Sequence, residues 1–278
     1  MIDRRFAQVD VFSPQPGGGN PVAVVLDADG LDDAALQRFA RWTNLSETTF
    51  VLPPSTGTAD YRVRIFTPSR ELPFAGHPTL GTCHAWLEAR DDIVPGGRIV
   101  QECGAGLVEL RRTADGLAFA APPMRRFEPV AEDLLASVAR GLGVEREEIL
   151  DASWIDNGPG WLGVLLGSAE RALALEPVYG GHEDVGVIAL HEPGAREAIE
   201  VRGFFLQDRT MMEDPVTGSL NASVAQWLLA NGRLTAPYVA RQGTALGRTG
   251  RVHVSVDEAG AVWVAGATRT LVRGSLVL

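Results

Sequence analysis

Two short stretches carry the residue types that could grip a small acid and move a proton on it. The first is Phe74-Ala75-Gly76-His77-Pro78-Thr79-Leu80-Gly81 and the second is Asp214-Pro215-Val216-Thr217-Gly218-Ser219. Each closes an extended apolar segment and opens one with helical spacing, Thr79 to Arg90 and Leu220 to Asn231. Glycine at the mouth of a helix lets backbone N–H groups face a ligand, and the positive end of the helix dipole adds to them. Gly76 and Gly218 therefore mark candidate anion sites. Two such mouths in one chain suggest a small acid held between two halves.

Four side chains near these mouths have acid–base or hydrogen-bonding chemistry. A carboxylate serves as general acid and base when partial burial brings its pKa toward working pH. Glu47 qualifies, since it follows Ser46 and leads the apolar run Phe50-Val51-Leu52; the plain alternative is an exposed acid at a strand edge. His77 precedes Pro78, and a proline at the first helical position makes His77 the expected N-cap. It could simply end a strand, or its ring could bond a substrate carboxylate or relay a proton. Asp214 before Pro215 reads either as an Asx-turn or as a carboxylate holding an amino or hydroxyl group. Ser219 reads either as a helix cap or as a carboxylate binder.

The elements that must position these residues are mostly short strands. Residues 5–12 alternate apolar and polar, 14–21 form a loop rich in Gly and Pro, and 22–26 form a buried strand. Asp32 to Trp42 has helical spacing with acids in its first turn, and Glu47–Leu52 and Asp60–Phe66 read as strands. Pro95-Gly96-Gly97 makes a turn, followed by a meander of Ile99–Glu102, Gly106–Arg111 and Leu117–Ala120. Pro122-Pro123 is the candidate linker. Beyond it come helices at Glu132–Gly141 and, shorter, Glu145–Leu150, then strands at Trp161–Leu166, Val185–Leu190 and Glu200–Leu206. The helix at Leu220–Asn231 closes on Gly232, and the tail from Tyr238 to Leu278 is strand-like throughout. The strands are not spaced as repeated βαβ units, so the expectation is an α+β fold rather than a doubly wound sheet.

Composition narrows the function classes. The chain has 278 residues, 45% of them hydrophobic, with net charge −10 and pI near 5.0. That length predicts two domains of about 140 residues. An acidic chain without a Lys/Arg run does not fit nucleic-acid binding, and apolar runs such as 161–166 are too short for a bilayer. The opening residues lack the apolar core of a signal peptide, and Cys83 and Cys103 show no metal-ligand spacing, so a cytoplasmic protein without membrane contact is expected. Both cysteines read as buried small side chains rather than nucleophiles, Cys83 on the apolar face of its helix. His84, His182, His191 and His253 likewise show no ligand spacing, and no metal is expected. No Walker loop, serine-hydrolase elbow or full dinucleotide fingerprint occurs.

The two halves echo each other. Asn157 against Asn20, and Asp184 against Glu47, are both offset by 137; Val201-Arg202-x-Phe204 against Val63-Arg64-x-Phe66 by 138; Gly218 against Gly76 by 142; and Trp227 against Trp86 by 141. Order is kept and the drift is that of loop insertions, which predicts an internal duplication. Two similar lobes follow, residues 1–122 and 123–278, with the last strand, about 268–278, free to return to the first lobe.

Ser46-Glu47-Thr48-Thr49-Phe50, Phe74-Ala75-Gly76-His77-Pro78-Thr79 and Glu213-Asp214-Pro215-Val216-Thr217-Gly218-Ser219 resemble signatures of the phenazine-biosynthesis isomerase-like PhzF family. Val9-Asp10-Val11-Phe12, the run from Gly19-Asn20-Pro21 to Val25, and Asn157-Gly158-Pro159-x-Trp161 resemble it too. The resemblance implies the diaminopimelate-epimerase-like fold: two lobes, each a curved, mostly antiparallel sheet around a central helix, with the active site in the cleft between them, commonly in a homodimer. It also implies proton transfer without a cofactor. Epimerase relatives carry a cysteine before each helix-mouth glycine, where this chain has Ala75 and Thr217, so two-thiol racemisation is disfavoured. The isomerase branch uses residues matching Glu47, His77, Asp214 and Ser219 in catalysis. Asn20, Gly76, His77, Gly218 and Ser219 are then the candidate substrate-binding residues. The expected activity is a double-bond or tautomeric proton shift on a small carboxylic acid; an amino-acid epimerase and a non-catalytic acid-binding protein are the alternatives.

Overall fold

The computed structural model describes residues 2–90, 97–207 and 209–278. Two segments set the architecture because they lack a charged face. Helix α5 (Gly218–Ala230) contains no charged residue, and Glu88, at the very end of α2 (Gly76–Glu88), is the sole carboxylate or basic Lys/Arg group in that helix. A helix with no polar stripe is stable only when covered on every side. Each therefore becomes the axis of one unit, and the chain divides into unit 1, up to Ala120 plus Ala265–Leu278, and unit 2, Ala121–Val264.

Unit 1 contains β1 (Asp3–Val11), β2 (Asn20–Val25), α1 (Asp33–Thr43), β3 (Glu47–Leu52), β4 (Tyr61–Phe66), β5 (Glu71–Leu72), then α2, β6 (Ile99–Cys103), β7 (Gly106–Thr113) and β8 (Gly116–Ala120). Its ladder pairs β1 with β2 antiparallel, β2 with β3 parallel, β3 with β4 antiparallel, β4 with β6 parallel, and then β6, β7 and β8 antiparallel. The far edge of β1 is covered by the last strand, Thr268–Val277. Helix α2 touches β1, β2, β3, β8 and that last strand, so the sheet wraps around it. On the outer face α1 buries Leu36, Phe39 and Ala40 against Val25, Phe50 and Phe66. Asp32 caps α1 by accepting from the Ala35 N–H at 2.7 Å, as its position before the periodic run predicts.

Unit 2 contains β9 (Arg126–Pro129), α3 (Glu132–Leu142), β10 (Ile149–Asp156), β11 (Leu162–Leu166), α4 (Ala169–Leu173), β12 (Val185–Leu190), β13 (Ile199–Gln207), β14 (Thr210–Asp214), α5, β15 (Tyr238–Gln242), β16 (Gly250–Val256) and β17 (Val262–Gly266), which ends across the boundary; β18 (Thr268–Val277) is the strand returned to unit 1. The ladder repeats that of unit 1: β10–β11 antiparallel, β11–β12 parallel, β12–β13 antiparallel, β13–β15 parallel and β15–β16 antiparallel. Strand β9 takes the flanking place beside β10. Helices α3 and α4 contribute Leu135, Val138 and Ala172 to an outer core with Val164, Val187 and Phe204. The fold is thus α+β, mostly sheet with few helices, as the strand spacing predicts.

The structure corrects several local expectations. Helix α2 begins at Gly76 rather than Thr79, and its N-cap is Ala75, not His77. The proline preference at the first helical position misleads here, because the N–H groups of the whole first turn lack intrahelical partners and Pro78 fits the third position equally well. Likewise α5 begins at Gly218 and is capped by Thr217, not Ser219. The helix expected at 145–150 is only a 3₁₀ turn at Arg146–Glu148, and β10 follows it directly. Strands β9, β10 and β14 and helix α4 go beyond the sequence reading. Pro95 and Gly96 of the expected turn lie outside the described residues.

Close packing around α2 yields a test whose sign opposes helix propensity. A Cβ on Gly81 would stand 2.3 Å from Val22 Cγ1 and 3.1 Å from Val11 Cγ2. Both partners are fully buried β-branched side chains with little rotamer freedom. Gly to Ala inside a helix normally gains about 1 kcal/mol, whereas overpacking a tight core costs about 1–3 kcal/mol. Gly81→Ala is expected to lower the urea-unfolding free energy by up to about 2 kcal/mol, and an increase would contradict the packing described.

Candidate functional site

Each unit has its own polar cluster at the first turn of its central helix. In unit 1 the cluster starts with Asp10, near the end of β1, which is 2% exposed. Its carboxylate accepts the Gly19 N–H at 3.1 and 3.3 Å. A side chain at position 19 would put Cβ 2.1 Å from the Val11 carbonyl oxygen, so only glycine lets the loop close this tightly. The next residue, Asn20, is then delivered fully buried at the start of β2. Parallel pairing of β2 with β3 sets Glu47 beside Val22, at the leading end of β3.

His77, the second residue of α2, lies between these two. Its Nδ1 is 3.2 Å from Asn20 Nδ2, and its Nε2 is 3.2 Å from Glu47 Oε2, without the alignment of a hydrogen bond at that second contact. The His77 side chain is 4% exposed and that of Glu47 15%. Burial pushes the His77 pKa down to about 3, slightly offset by a backbone hydrogen bond at Pro21. The ring is therefore neutral at physiological pH. The structure thus brings together Asn20, Glu47, Gly76 and His77. Behind them the helix is fixed by a buried chain in which Tyr61 Oη donates to Gln101 Oε1 at 3.1 Å and Gln101 Nε2 donates to Thr79 Oγ1 at 3.0 Å.

In unit 2 the first turn of α5 carries Gly218 and Ser219, and β14 ends on Asp214. Asp214 Oδ2 accepts the Thr217 hydroxyl at 2.6 Å. This is a side-chain contact three residues along, distinct from the main-chain bond of an Asx-turn. Gln242, fully buried on β15, makes four contacts here. Its Oε1 accepts the Thr217 N–H at 3.0 Å and Asn221 Nδ2 at 2.8 Å, while its Nε2 donates to Thr217 Oγ1 at 2.9 Å and the Asp214 carbonyl at 3.1 Å. Ser219 is held by Trp161 Nε1, 3.1 Å from its Oγ, and by Asn157 Nδ2, 2.9 Å from its carbonyl oxygen. Asp214, Gly218 and Ser219 are thus neighbours within this unit.

Sequence reasoning missed Asp10, Gln101 and Gln242 as supports. Gln242 against Gln101 is offset by 141, the same as Trp227 against Trp86, so the repeat contained the signal. Cys83 is fully buried and its thiol is pushed up to about 12; burial also raises the Cys103 thiol, and neither is a nucleophile at neutral pH. Among the described residues no group of three His, Cys, Asp or Glu side chains is placed to hold a metal ion, and no helix is long and apolar enough to cross a membrane.

Comparison with known proteins adds family evidence to this geometry. The family pattern PhzC-PhzF, described as phenazine biosynthesis-like protein, matches residues 9–277. A Schizosaccharomyces pombe protein named Antisense-enhancing sequence 1 is 37% identical, over 99% of each chain. The trans-2,3-dihydro-3-hydroxyanthranilate isomerase of Pseudomonas fluorescens is 34% identical, over 97% of this chain and 98% of that one. The structure of a predicted epimerase from Pseudomonas aeruginosa superposes with a TM-score of 0.82 at 29% identity, over 99% of each chain.

Burial of His77 sets a pH dependence of stability. The unfolded chain takes up a proton on this ring below about pH 6.5, and the folded protein does not until about pH 3. This contribution is thus complete above pH 6.5 and is lost as pH falls toward 3, at up to about 1.4 kcal/mol per unit. Replacing the ring by a group that does not titrate, His77→Gln, is expected to flatten the urea-unfolding free energy between pH 6.5 and 4.5 relative to wild type. Parallel pH profiles for the two proteins would contradict a neutral, buried His77.

Proposed function

The chain belongs to the phenazine biosynthesis-like PhzC-PhzF family and is an isomerase, and we propose that it shifts a proton along a small carboxylic acid by general acid–base chemistry, without a cofactor. The observation that carries this reading is the position of Glu47. It is a mostly buried carboxylate, 3.2 Å from a buried neutral histidine at the first turn of a helix covered on all sides.

In this reading Glu47 removes a proton from carbon and returns it elsewhere on the same conjugated system, so the net change is a rearrangement with nothing gained or lost. Burial disfavours the charged imidazolium, so His77 is suited to orienting rather than to carrying the proton. Its work is to orient. The Asn20 amide lies 3.2 Å from Nδ1 and the Glu47 carboxylate 3.2 Å from Nε2, so the ring is held between the two side chains. The N–H groups of Gly76 and His77, at the positive end of α2, are suited to hold the substrate carboxylate and charge that develops on it. The family resemblance assigns similar binding work to Asp214, Gly218 and Ser219. An epimerase reading is less well supported. Ala75 offers no acid–base group, and the Thr217 hydroxyl is engaged by Asp214 and Gln242.

The test uses trans-2,3-dihydro-3-hydroxyanthranilate, together with a panel of small unsaturated and amino acids, incubated with the protein in deuterated water and followed by NMR. Deuterium should enter at a carbon other than the one that loses its proton. Glu47→Gln should slow exchange by at least about a hundredfold, the scale of a lost general acid–base group. Exchange that survives in Glu47→Gln removes Glu47 as the base, and inversion at a single carbon favours the epimerase. If wild type binds one of these acids without exchanging any proton, the protein is an acid-binding protein instead.

A further inference from the structure

The link between β10 and β11 presents two side chains to one residue of α5. Asn157 follows β10 and Trp161 precedes β11, and both reach Ser219. The two contacts differ in kind. Asn157 Nδ2 donates to the Ser219 main-chain carbonyl, which fixes the first turn of the helix against the strand link. Trp161 Nε1 donates to the Ser219 hydroxyl oxygen. All three residues are buried: Asn157 is 2% exposed, Trp161 4% and Ser219 4%.

We propose that Trp161 is a positioning residue that biases the Ser219 hydroxyl to donate its proton toward an anionic group of the substrate. A serine hydroxyl ordinarily rotates and can donate or accept. An indole N–H can only donate, so in this pair Ser219 Oγ must be the acceptor. One lone pair is then occupied, and the hydroxyl proton is free to point at another acceptor. A carboxylate or enolate oxygen is an acceptor only and matches that polarity. Fixing the rotor before binding also lowers the ordering cost on association.

Unit 1 supports this reading with a parallel arrangement. There too an asparagine, at the start of the second sheet strand, reaches the second residue of the central helix, Asn20 to the His77 ring. Position two of each helix is thus latched from the same place in the fold. In unit 2 the latched residue has a rotatable hydroxyl, and the indole of Trp161 supplies the additional restraint.

The inference rests on the proposed role of Ser219 in acid binding, and a double-mutant cycle separates the two. Trp161→Phe retains most of the ring and loses the donor. Wild type, Trp161→Phe, Ser219→Ala and the double variant are titrated with 3-hydroxyanthranilate, a stable planar acid, and turnover of trans-2,3-dihydro-3-hydroxyanthranilate is measured in parallel. Trp161→Phe is expected to weaken binding and raise KM roughly three- to tenfold, with kcat within about twofold. In the Ser219→Ala background the same substitution should have no further effect. Additive losses, or an undiminished affinity in a folded Trp161→Phe protein, overturn the inference while leaving the role of Ser219 intact. Unchanged affinity in Ser219→Ala, or no binding of either acid to wild type, overturns the acid-binding reading itself and the inference with it. Should Trp161→Phe not fold, the indole ¹⁵N–H signal of wild type gives a second measure. It should shift when Ser219 is changed to Ala and when 3-hydroxyanthranilate is added, and an indole signal indifferent to both rejects the proposal.

Discussion

The constraint on which this structure depends is the burial of two helices along most of their length, first turn included. Helices α2 and α5 have no charged stripe to turn toward water, so the sheets of their units close over them. A helix buried this way takes the polar atoms of its first turn into the interior, where each unpaired group costs about 1–3 kcal/mol. Neither helix has a side-chain N-cap of its own. Polar groups come from the surrounding chain instead: Gln242 accepts the Thr217 N–H, Asn157 donates to the Ser219 carbonyl, Gln101 donates to the Thr79 hydroxyl, and Asn20 faces the His77 ring. The feature that makes the first turns suitable for an anion also compels the chain to surround them with buried, hydrogen-bonding side chains.

Duplication then explains why the two clusters share a plan and differ in chemistry. The parallel pairs β2–β3 and β11–β12 occupy corresponding places, as do β4–β6 and β13–β15, so each central helix follows the same run of paired strands. The buried glutamines sit on the strand after each central helix, β6 and β15. The residue carried at the second helical position has diverged, an imidazole in unit 1 and a hydroxyl in unit 2, and so has the N-cap before it, Ala75 in unit 1 and Thr217 in unit 2. The flanking strands also diverge. Unit 1 takes β18 from the end of the chain, whereas unit 2 takes β9 from the segment just before β10.

What was legible in the sequence follows the range of the interactions involved. Helix α1 shows its cap, its acidic first turn and its apolar face within a few residues, so local pattern suffices. Strand β3 was legible for the same reason. Strand β10, Ile149–Asp156, was not, because its burial is interrupted and its apolar residues do not alternate. The first turn of α2 was misplaced because capping rules judge Pro78 by its neighbours, whereas burial of the whole helix decides where the turn begins. The supporting glutamines were hidden more deeply. Gln101 in a strand of mixed residues looks like a solvent-facing polar group until β4 and α2 are placed around it. Glu47, His77, Asp214 and Ser219 stood out through family likeness, and the neighbours each one has could be known only from the fold.

The state of His77 shows most clearly how placement changes chemistry. An exposed histidine would titrate near pH 6.5 and be a natural proton shuttle at neutral pH. Burial at the start of α2 moves it to about 3, beyond the range in which it could gain and lose a proton during turnover. The positive end of the helix acts in the same direction, since it disfavours a cation at that position. With the ring held neutral and the Asp10 carboxylate engaged by the Gly19 N–H, Glu47 is the carboxylate beside the ring, and His77 is a polar neighbour that can orient it without competing for the proton. A base that must both remove and return a proton benefits from such a partner, because a second titrating group 3.2 Å away would couple to it and split its titration into two steps. Fixing His77 in one protonation state leaves the proposed acid–base cycle to Glu47 alone.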